Sequence, residues 1–416
     1  MRIAIIGTGI SGLGAAYLLA PHHDITVYEK ETRTGGHSRT INIEIDARQI
    51  PVDTGFIVFN ERNYPHLTAM FRHLGVETQK SDMSFGVSIR GGDLEYGSKG
   101  MFSQKKNLLR PAFWRMIFDI LRFNRAAEKM LDHPAEMTLA ECLDKLGMGD
   151  WFRRYYLQAM GAAIWSCSVE TILEFPAHSF IRFFKNHGLL TVNDHPQWYT
   201  VTGGSREYVR KLSAGFADKI KTGTGATRVR RIAGGVEVTD AQGHTEIFDR
   251  AVFACHADEA LALLADADPL ENDILSAFRY NENRVVVHDD VSFMPRRRGA
   301  WASWVYLSEE AQDKAPVVSL SYWMNNLQNL PTEKPVIITL NPGRAPAAGS
   351  VLNEHVFSHP VFTLAAIRAQ KRMHELQGRR DVCFCGAYMR YGFHEDGLLS
   401  AVDLCRDVFG VNPPWL

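Results

Sequence analysis

Gly7-Thr8-Gly9-Ile10-Ser11-Gly12 has the spacing GxGxxG, and an acid, Glu29, follows seventeen residues after its last glycine. The chemistry this pattern supports is dinucleotide binding. The first glycine permits a tight turn, the second lets backbone approach a pyrophosphate, and the third lets a helix pack on the preceding strand. Phosphate oxygens would meet the N–H groups and positive end of that helix, with Ser11 in its first turn. An acid at the place of Glu29 hydrogen-bonds both ribose hydroxyls of an adenosine and repels a 2′-phosphate, which argues against NADP. The competing reading, a surface turn and a solvated glutamate, loses ground because the neighbouring elements stand in register with the motif.

Arg2-Ile3-Ala4-Ile5-Ile6 is an apolar, β-branched run that predicts a buried parallel strand. Leu13 to Leu19 predicts a helix, and Ile25 to Tyr28 a second strand ending at Glu29. Around these elements the chain runs to 416 residues, enough for two or three domains. Lys+Arg number 46 and Asp+Glu 47, so the net charge of -1 gives no global reason to bind nucleic acid, and none is expected. The six cysteines are scattered; Cys383-Phe384-Cys385 is a poor metal signature, so no metal is expected and a reducing cytoplasm fits best. No apolar run of about 18 residues predicts a transmembrane helix. Met1 to Ala20 is apolar like a signal peptide, but Gly7, Gly9, Gly12 and Gly14 break such a helix.

After Glu29 come Lys30-Glu31-Thr32-Arg33-Thr34-Gly35-Gly36-His37-Ser38-Arg39-Thr40 and then Val52-Asp53-Thr54-Gly55-Phe56. With these segments the sequence resembles the flavin-containing amine oxidase superfamily, which includes protoporphyrinogen oxidase and phytoene-type desaturases. The resemblance implies an α/β fold: a Rossmann-like, glutathione-reductase-like FAD-binding domain with an inserted α+β substrate domain. It implies FAD, non-covalent because no cysteine matches the family's flavin-linking position. The implied contacts are Gly7, Gly9, Ser11, Gly12, Glu29 and Lys30, then Gly35, Gly36, His37, Ser38 and Arg39 along the pyrophosphate and ribityl chain. Thr54, Gly55 and Phe56 bring backbone to the flavin. The family often has Arg directly after the glycine pair; here His37 stands there, and Arg39 follows two residues later.

The resemblance continues downstream. Val201-Thr202-Gly203-Gly204-Ser205 precedes a predicted helix, and Ile220 to Val229 reads as a strand whose Val229 backbone faces adenine in the family. Gly234-Gly235 and Asp240 to Gly243 predict hairpin turns. Ala251 to Cys255 is a buried strand, with Cys255 at its end. Arg380 to Tyr388 reads as a strand ending at Gly386, followed by Ala387 where relatives often carry an acid. Asp396, Gly397 and Leu398 open the closing helix, whose N-terminus would stabilise the reduced flavin. Asp396 equally fits a first-turn acid. The matches divide the chain into an FAD-binding domain, 1–60, 200–265 and 375–416, and a substrate domain, 61–199 and 266–374.

Residues 61–199 read as largely helical. Phe113 to Phe123 places 113, 114, 117, 118 and 121 on one face, amid Lys105, Lys106, Arg110, Arg115, Arg122 and Arg125. Such a helix lies on a membrane surface or packs on its own domain. In the family this region often carries membrane contacts, so peripheral contact through 105–125, at the inner face of the membrane, is an open expectation. Residues 266–374 read as sheet, with strands at Arg284 to His288, Trp301 to Tyr306, Val317 to Trp323 and Val336 to Leu340. Many amine oxidases place a Lys on this sheet near flavin N5. Arg284 to His288 has none, so amine specificity does not follow.

Trp198, Gly203-Gly204-Ser205, Asn325-Asn326-Leu327-Gln328 and Gly392 to Gly397 look like a bacterial subgroup described only as FAD/NAD-binding or amine-oxidase-like. Its members tend to accompany cyclopropane-fatty-acyl-synthase-like methyltransferases, which implies a fatty-acyl or phospholipid substrate. The expected reaction removes two hydrogens from a hydrophobic substrate, with hydride passing to flavin N5 and reoxidation by oxygen or quinone. Candidate bases are His394, His288 and His359, because His titrates nearest neutral pH, with Arg284 and Tyr388 behind them. A single His is more often structural. An amine or amino-acid oxidase and a non-catalytic FAD-binding protein are the alternatives.

Overall fold

The computed structural model describes residues 1–133, 137–165, 172–191, 195–309 and 317–415. Cys167 lies outside them, and the other five cysteines are unpaired thiols.

Five parallel strands make the first sheet, in the order Ile220–Lys221, Asp24–Tyr28, Arg2–Ile6, Arg250–Phe253 and Val382–Phe384. Parallel strands bury both faces, which is why these runs are almost wholly apolar. One face is covered by the helices Ile10–Leu19 and His394–Phe409, which pack on each other. The other is covered by a three-stranded antiparallel layer, Ala226–Ile232, Gly235–Asp240 and Thr245–Phe248. There Val229, Val236, Val238 and Phe248 share a core with Ala4, Ile6, Tyr28 and Phe253. The first hairpin turn is Ala233-Gly234, one residue before the Gly234-Gly235 expected from the sequence, because Gly235 already pairs with Ile232; the second lies between Asp240 and Thr245 as expected. The stretch read as one strand from Ile220 to Val229 is two, Ile220–Lys221 and Ala226–Ile232. Gly223 breaks it at φ +62°, and the Thr224 N–H donates to the Glu29 carbonyl oxygen.

The second sheet has seven strands, ordered Val351–Val361, Arg279–His288, Ile337–Leu340, Val317–Trp323, Trp304–Glu309, Phe85–Ile89 and Leu94–Gly97. Its last two strands come from the stretch that reads as largely helical, which also supplies Thr78–Ser81. Helices Pro111–Ala126, Leu139–Lys145 and Ala177–Asn186 pack in one core with Val87, Ile89, Leu94 and Tyr96. Helix Pro65–His73 is different. It buries Leu67, Met70 and Phe71 in the core of the glycine-loop helix, not under the second sheet.

Candidate functional site

The glycine loop has the geometry its sequence requires. Gly7 turns at φ +106°, and a Cβ there would lie 2.9 Å from the Ala254 carbonyl oxygen. A Cβ on Gly12 would lie 1.9 Å from the Gly7 carbonyl oxygen, so a side chain would push helix off strand. Gly9, the helix N-cap, faces open space: a Cβ would meet nothing within 4 Å. Glu29 is buried beside the loop, accepting the Thr8 N–H at 2.9 Å and the Glu31 N–H at 2.8 Å. Lys30 points away from the loop, with its ammonium on Glu259. Cys255 lies behind Gly7, with its backbone nitrogen 3.3 Å from a Cβ built there.

The second glycine pair closes over the first. The Gly35 N–H donates to the Thr8 carbonyl oxygen at 3.0 Å, and a Cβ on Gly36 would lie 3.1 Å from Gly9 Cα. The turn at Thr54 to Phe56 is clipped to the same loop. The Thr54 N–H donates to the Arg39 carbonyl and the Phe56 N–H to the His37 carbonyl, each at 2.8 Å. Arg39 donates to Thr54 Oγ1 at 3.0 Å and to Asn353 Oδ1 at 3.1 Å. Arg33 donates through Nη2 to the Gly36 carbonyl at 2.9 Å, while its buried Nη1 and the buried His37 Nε2 have no partner. An open backbone face with unpartnered polar nitrogens beside it suits an anionic dinucleotide.

The closing helix His394–Phe409 packs along the glycine helix, with the two N-termini side by side. A Cβ on Gly397 would lie 2.8 Å from Ile10 Cγ2 and 2.9 Å from Ser11 Oγ, and one on Gly14 would lie 2.9 Å from Leu398 Cδ1. Two positive helix ends therefore converge on one region. Asp396 has its first-turn role, accepting the Phe393 N–H at 2.9 Å, and burial raises its carboxyl to about 6. Glu395 accepts the His66 and Leu67 N–H groups, each at 2.9 Å, which caps helix Pro65–His73. Burial pushes that carboxyl up to about 7. Gly386 donates its N–H to Ser400 Oγ at 2.9 Å.

Of the three candidate histidines, two reach this region. His394 stacks on Phe56 at 3.9 Å and 14°, with Nε2 2.8 Å from Ser38 Oγ and 3.0 Å from the Tyr208 hydroxyl. Ser38 also bonds Tyr208. Burial pushes the His394 imidazole down to about 3, so it is neutral at pH 7. His359 lies 5.2 Å from the His37 ring, receives the Asn283 amide at 2.8 Å, and is lowered by burial to about 4. His288 is placed elsewhere. It bonds Thr339 Oγ1 at 2.8 Å and packs on Phe293, while its neighbours Val285 and Val287 face the hairpin Thr40–Ile45 and Arg48–Asp53. Arg284 pairs with Glu354 at the surface. Tyr388 packs on Phe278, its buried hydroxyl unpartnered. The Val229 side chain is buried, and its carbonyl accepts the Ala265 N–H at 2.9 Å, so that carbonyl is committed within the fold.

Several neighbours have no counterpart among the sequence candidates. His37 stacks on Phe357 at 4.6 Å and lies 6.2 Å from His256, which stacks on Tyr280 at 4.3 Å. Burial first, and then these imidazoles, hold His37 neutral. For Phe357 the signal is the alternation Asn353, His355, Phe357, His359, because alternate residues of a strand share a face, whereas His256 and Tyr280 lie on other segments with no such signal. Across the ladder the four alternating residues oppose Val287, Val285, Asn283 and Asn281. Neither strand contains a lysine.

A family model for flavin containing amine oxidoreductases matches residues 10–303. A Mycobacterium tuberculosis protein assigned as a flavin-containing monoamine oxidase is 24% identical over 256 residues, 59% of this chain and 54% of that one. A Synechococcus elongatus protein assigned as a zeta-carotene desaturase is 26% identical over 170 residues, 37% of this chain and 34% of that one. The chain thus spans about half the length, or less, of these curated relatives. The crystal structure of a CLA-producing fatty acid isomerase from P. acnes superposes with a TM-score of 0.70 at 16% identity, covering 98% of each chain. That likeness shows the fold. The family match covers well over half of the chain and begins in the first turn of the glycine-loop helix, so the protein belongs to the flavin-containing amine oxidoreductases, with FAD as its cofactor.

Proposed function

We propose that the protein is an oxidoreductase that removes two hydrogens from a hydrophobic substrate, a fatty-acyl or phospholipid chain, with oxygen or a quinone as final acceptor. The observation that carries this reading is an aromatic tract leading to the closing helix. Trp165 packs on Phe175 at 5.2 Å and on Phe183 at 4.7 Å. Phe183 stacks on Phe393 at 5.0 Å, the residue before His394. Beside the tract opens a cavity lined by Thr138, Glu174, Phe175, Val361, Phe362, Thr363 and Leu364. The Phe362 ring lies 3.0 Å from a Cβ built on Gly392. The aromatic and aliphatic part of these walls suits an alkyl chain, and Glu174, the one charged residue among them, is exposed to solvent. The desaturase relative and the fatty acid isomerase of the same fold support that substrate class.

FAD, when bound, supplies a hydride acceptor. The chain's own residues do the rest. The Gly9 backbone and the N-terminus of helix Ile10–Leu19 would hold the diphosphate, with the unpartnered Arg33 and His37 nitrogens available to it, and the N-terminus of helix His394–Phe409 would face the flavin. Phe56 and His394 form a dry, neutral wall, held by Ser38 and Tyr208, that orients the substrate and excludes water. His359, whose Nδ1 receives the Asn283 amide, would have to give up that bond to take the departing proton on the sheet side. A C–H bond next to an alkene is the easier one to break, because developing charge is delocalised. The test is anaerobic mixing with defined unsaturated acyl phospholipids while flavin absorbance is followed. Bleaching with a product two mass units lighter is the expected result. Bleaching by amines and by no lipid would overturn the acyl reading in favour of an amine oxidase.

A further inference from the structure

We infer that the tip of the helical layer, residues 102–125, is a docking surface for an anionic lipid bilayer. Six of the twelve exposed large apolar side chains among the described residues fall within residues 102–121: Phe102, Leu108, Leu109, Trp114, Phe118 and Leu121. Leu109 is 86% exposed and Phe118 is 65% exposed. They form one patch. Phe102 lies 5.8 Å from Trp114, whose indole N–H donates to the Leu108 carbonyl at 2.9 Å. Phe118 and Leu121 continue the same helical face, four and seven residues on. The helix does not need this face for its own packing, because Phe113, Met116 and Phe123 fill the core from the other side.

Charge decides what covers the patch. Residues 99–129 carry eight Lys or Arg and two Asp or Glu, a net +6, which leaves the rest of the chain at −7. One of those acids, Asp119, is buried against Arg115 and Arg122. Lys105, Lys106, Arg115, Arg122 and Arg125 are exposed beside the apolar residues. Asp82 pairs with Lys99, and Asp93 with Lys106 and Arg110, yet the surface stays basic, and a second copy of the chain would bring two such surfaces together, which like-charge repulsion opposes. A bilayer with acidic headgroups takes both parts at once. The apolar residues enter the acyl boundary by about 5–10 Å and the basic ring stays at the phosphates. No described helix is long and apolar enough to cross a membrane, so the contact is with one leaflet.

The test is cosedimentation of the full-length holoprotein with vesicles of phosphatidylcholine alone or with about a third phosphatidylglycerol. The expected result is binding to the anionic vesicles only, falling at least about tenfold when salt rises well above 0.1 M. Leu109→Ser with Phe118→Ser, and separately Lys105→Glu with Arg125→Glu, should each cut binding by at least about tenfold while flavin content stays unchanged. Binding that is absent at low salt, or that both double variants retain, overturns the inference. So does a solution dimer that Leu109→Ser with Phe118→Ser converts to monomer. The vesicles report binding without turnover, so this surface and the acyl-oxidation reading stand or fall separately.

Discussion

Glu29 illustrates how one side chain serves both the fold and the ligand. Its carboxylate gathers the N–H groups of Thr8 and Glu31 at the strand tip, beside the open face of Gly9. Glu29→Lys removes those bonds and puts an ammonium where ribose hydroxyls need an acceptor. Titration of the apoprotein with FAD should show affinity reduced about thirtyfold or more, roughly 2 kcal/mol. An unchanged dissociation constant would remove Glu29 from the site. His394 makes a prediction in pH. Its folded pKa of about 3 lies below the ordinary 6.5, so its contribution to stability is full above pH 6.5 and is lost as pH falls toward 3. His394→Phe removes that dependence along with the Ser38 and Tyr208 hydrogen bonds. Near pH 7 the variant should be the less stable by about 1–3 kcal/mol. The gap should narrow by about 1.4 kcal/mol per pH unit below 6.5. The buried carboxyls Asp53 and Asp396, both raised to about 6, run the opposite way but are common to both proteins. Denaturant midpoints of the pair at several pH values check this, and a constant gap refutes it.

At the scale of elements, the glycine loop and the closing helix separate ligand space from packing space. Gly9→Ala adds a methyl that meets no protein atom, at an N-cap whose φ of −63° suits alanine. The apoprotein should keep its melting temperature, while FAD affinity drops because backbone can no longer approach the pyrophosphate. Gly397→Val adds atoms against Ile10 and Ser11, and overpacking of this kind typically costs 1–3 kcal/mol. Its melting temperature should fall even without flavin. If both variants behave alike in thermal melts of the apoprotein, the distinction fails. The glycine loop was legible because its signals are local: a strand, a turn and a cap within a few residues. The Ser38 to His394 contact was not, because its partners are 356 positions apart and only the folded sheet joins them. The strands Phe85–Ile89 and Leu94–Gly97 were missed because they are short and lie between helical runs. Helix Pro111–Ala126 was recognised, but its apolar residues surround the axis, so periodicity could not say which face is buried. Met116, Asp119 and Phe123 face in, and Trp114, Phe118 and Leu121 face out.

The whole molecule joins two sheets through the loops that would hold FAD. Arg39 reaches Asn353, and His37 stacks on Phe357, from the first sheet's loops to the edge strand of the second. The first sheet draws its strands from residues 2–28, 220–253 and 382–384, which the matching motifs at the start, middle and end of the chain anticipate. Helix Pro65–His73 joins that first core through Glu395 and the closing helix, a link no local pattern encodes. A ligand bound at the convergence of these segments stabilises them jointly, by about 2.7 kcal/mol when its concentration is a hundred times its dissociation constant. Removing FAD should therefore raise amide exchange together in three distant stretches: Gly7 to Ser11, Gly35 to Phe56 and Phe393 to Leu398. The antiparallel strands Gly235–Asp240 and Thr245–Phe248 should exchange at the same rate with and without flavin, because their ladder and core take no residue from those three stretches. Hydrogen exchange read by mass spectrometry on the holoprotein and the deflavinated protein makes the comparison. Loss of protection confined to the first sixty residues would mean that the closing helix does not share the site, and the convergence of the two helix ends would then be a packing feature alone.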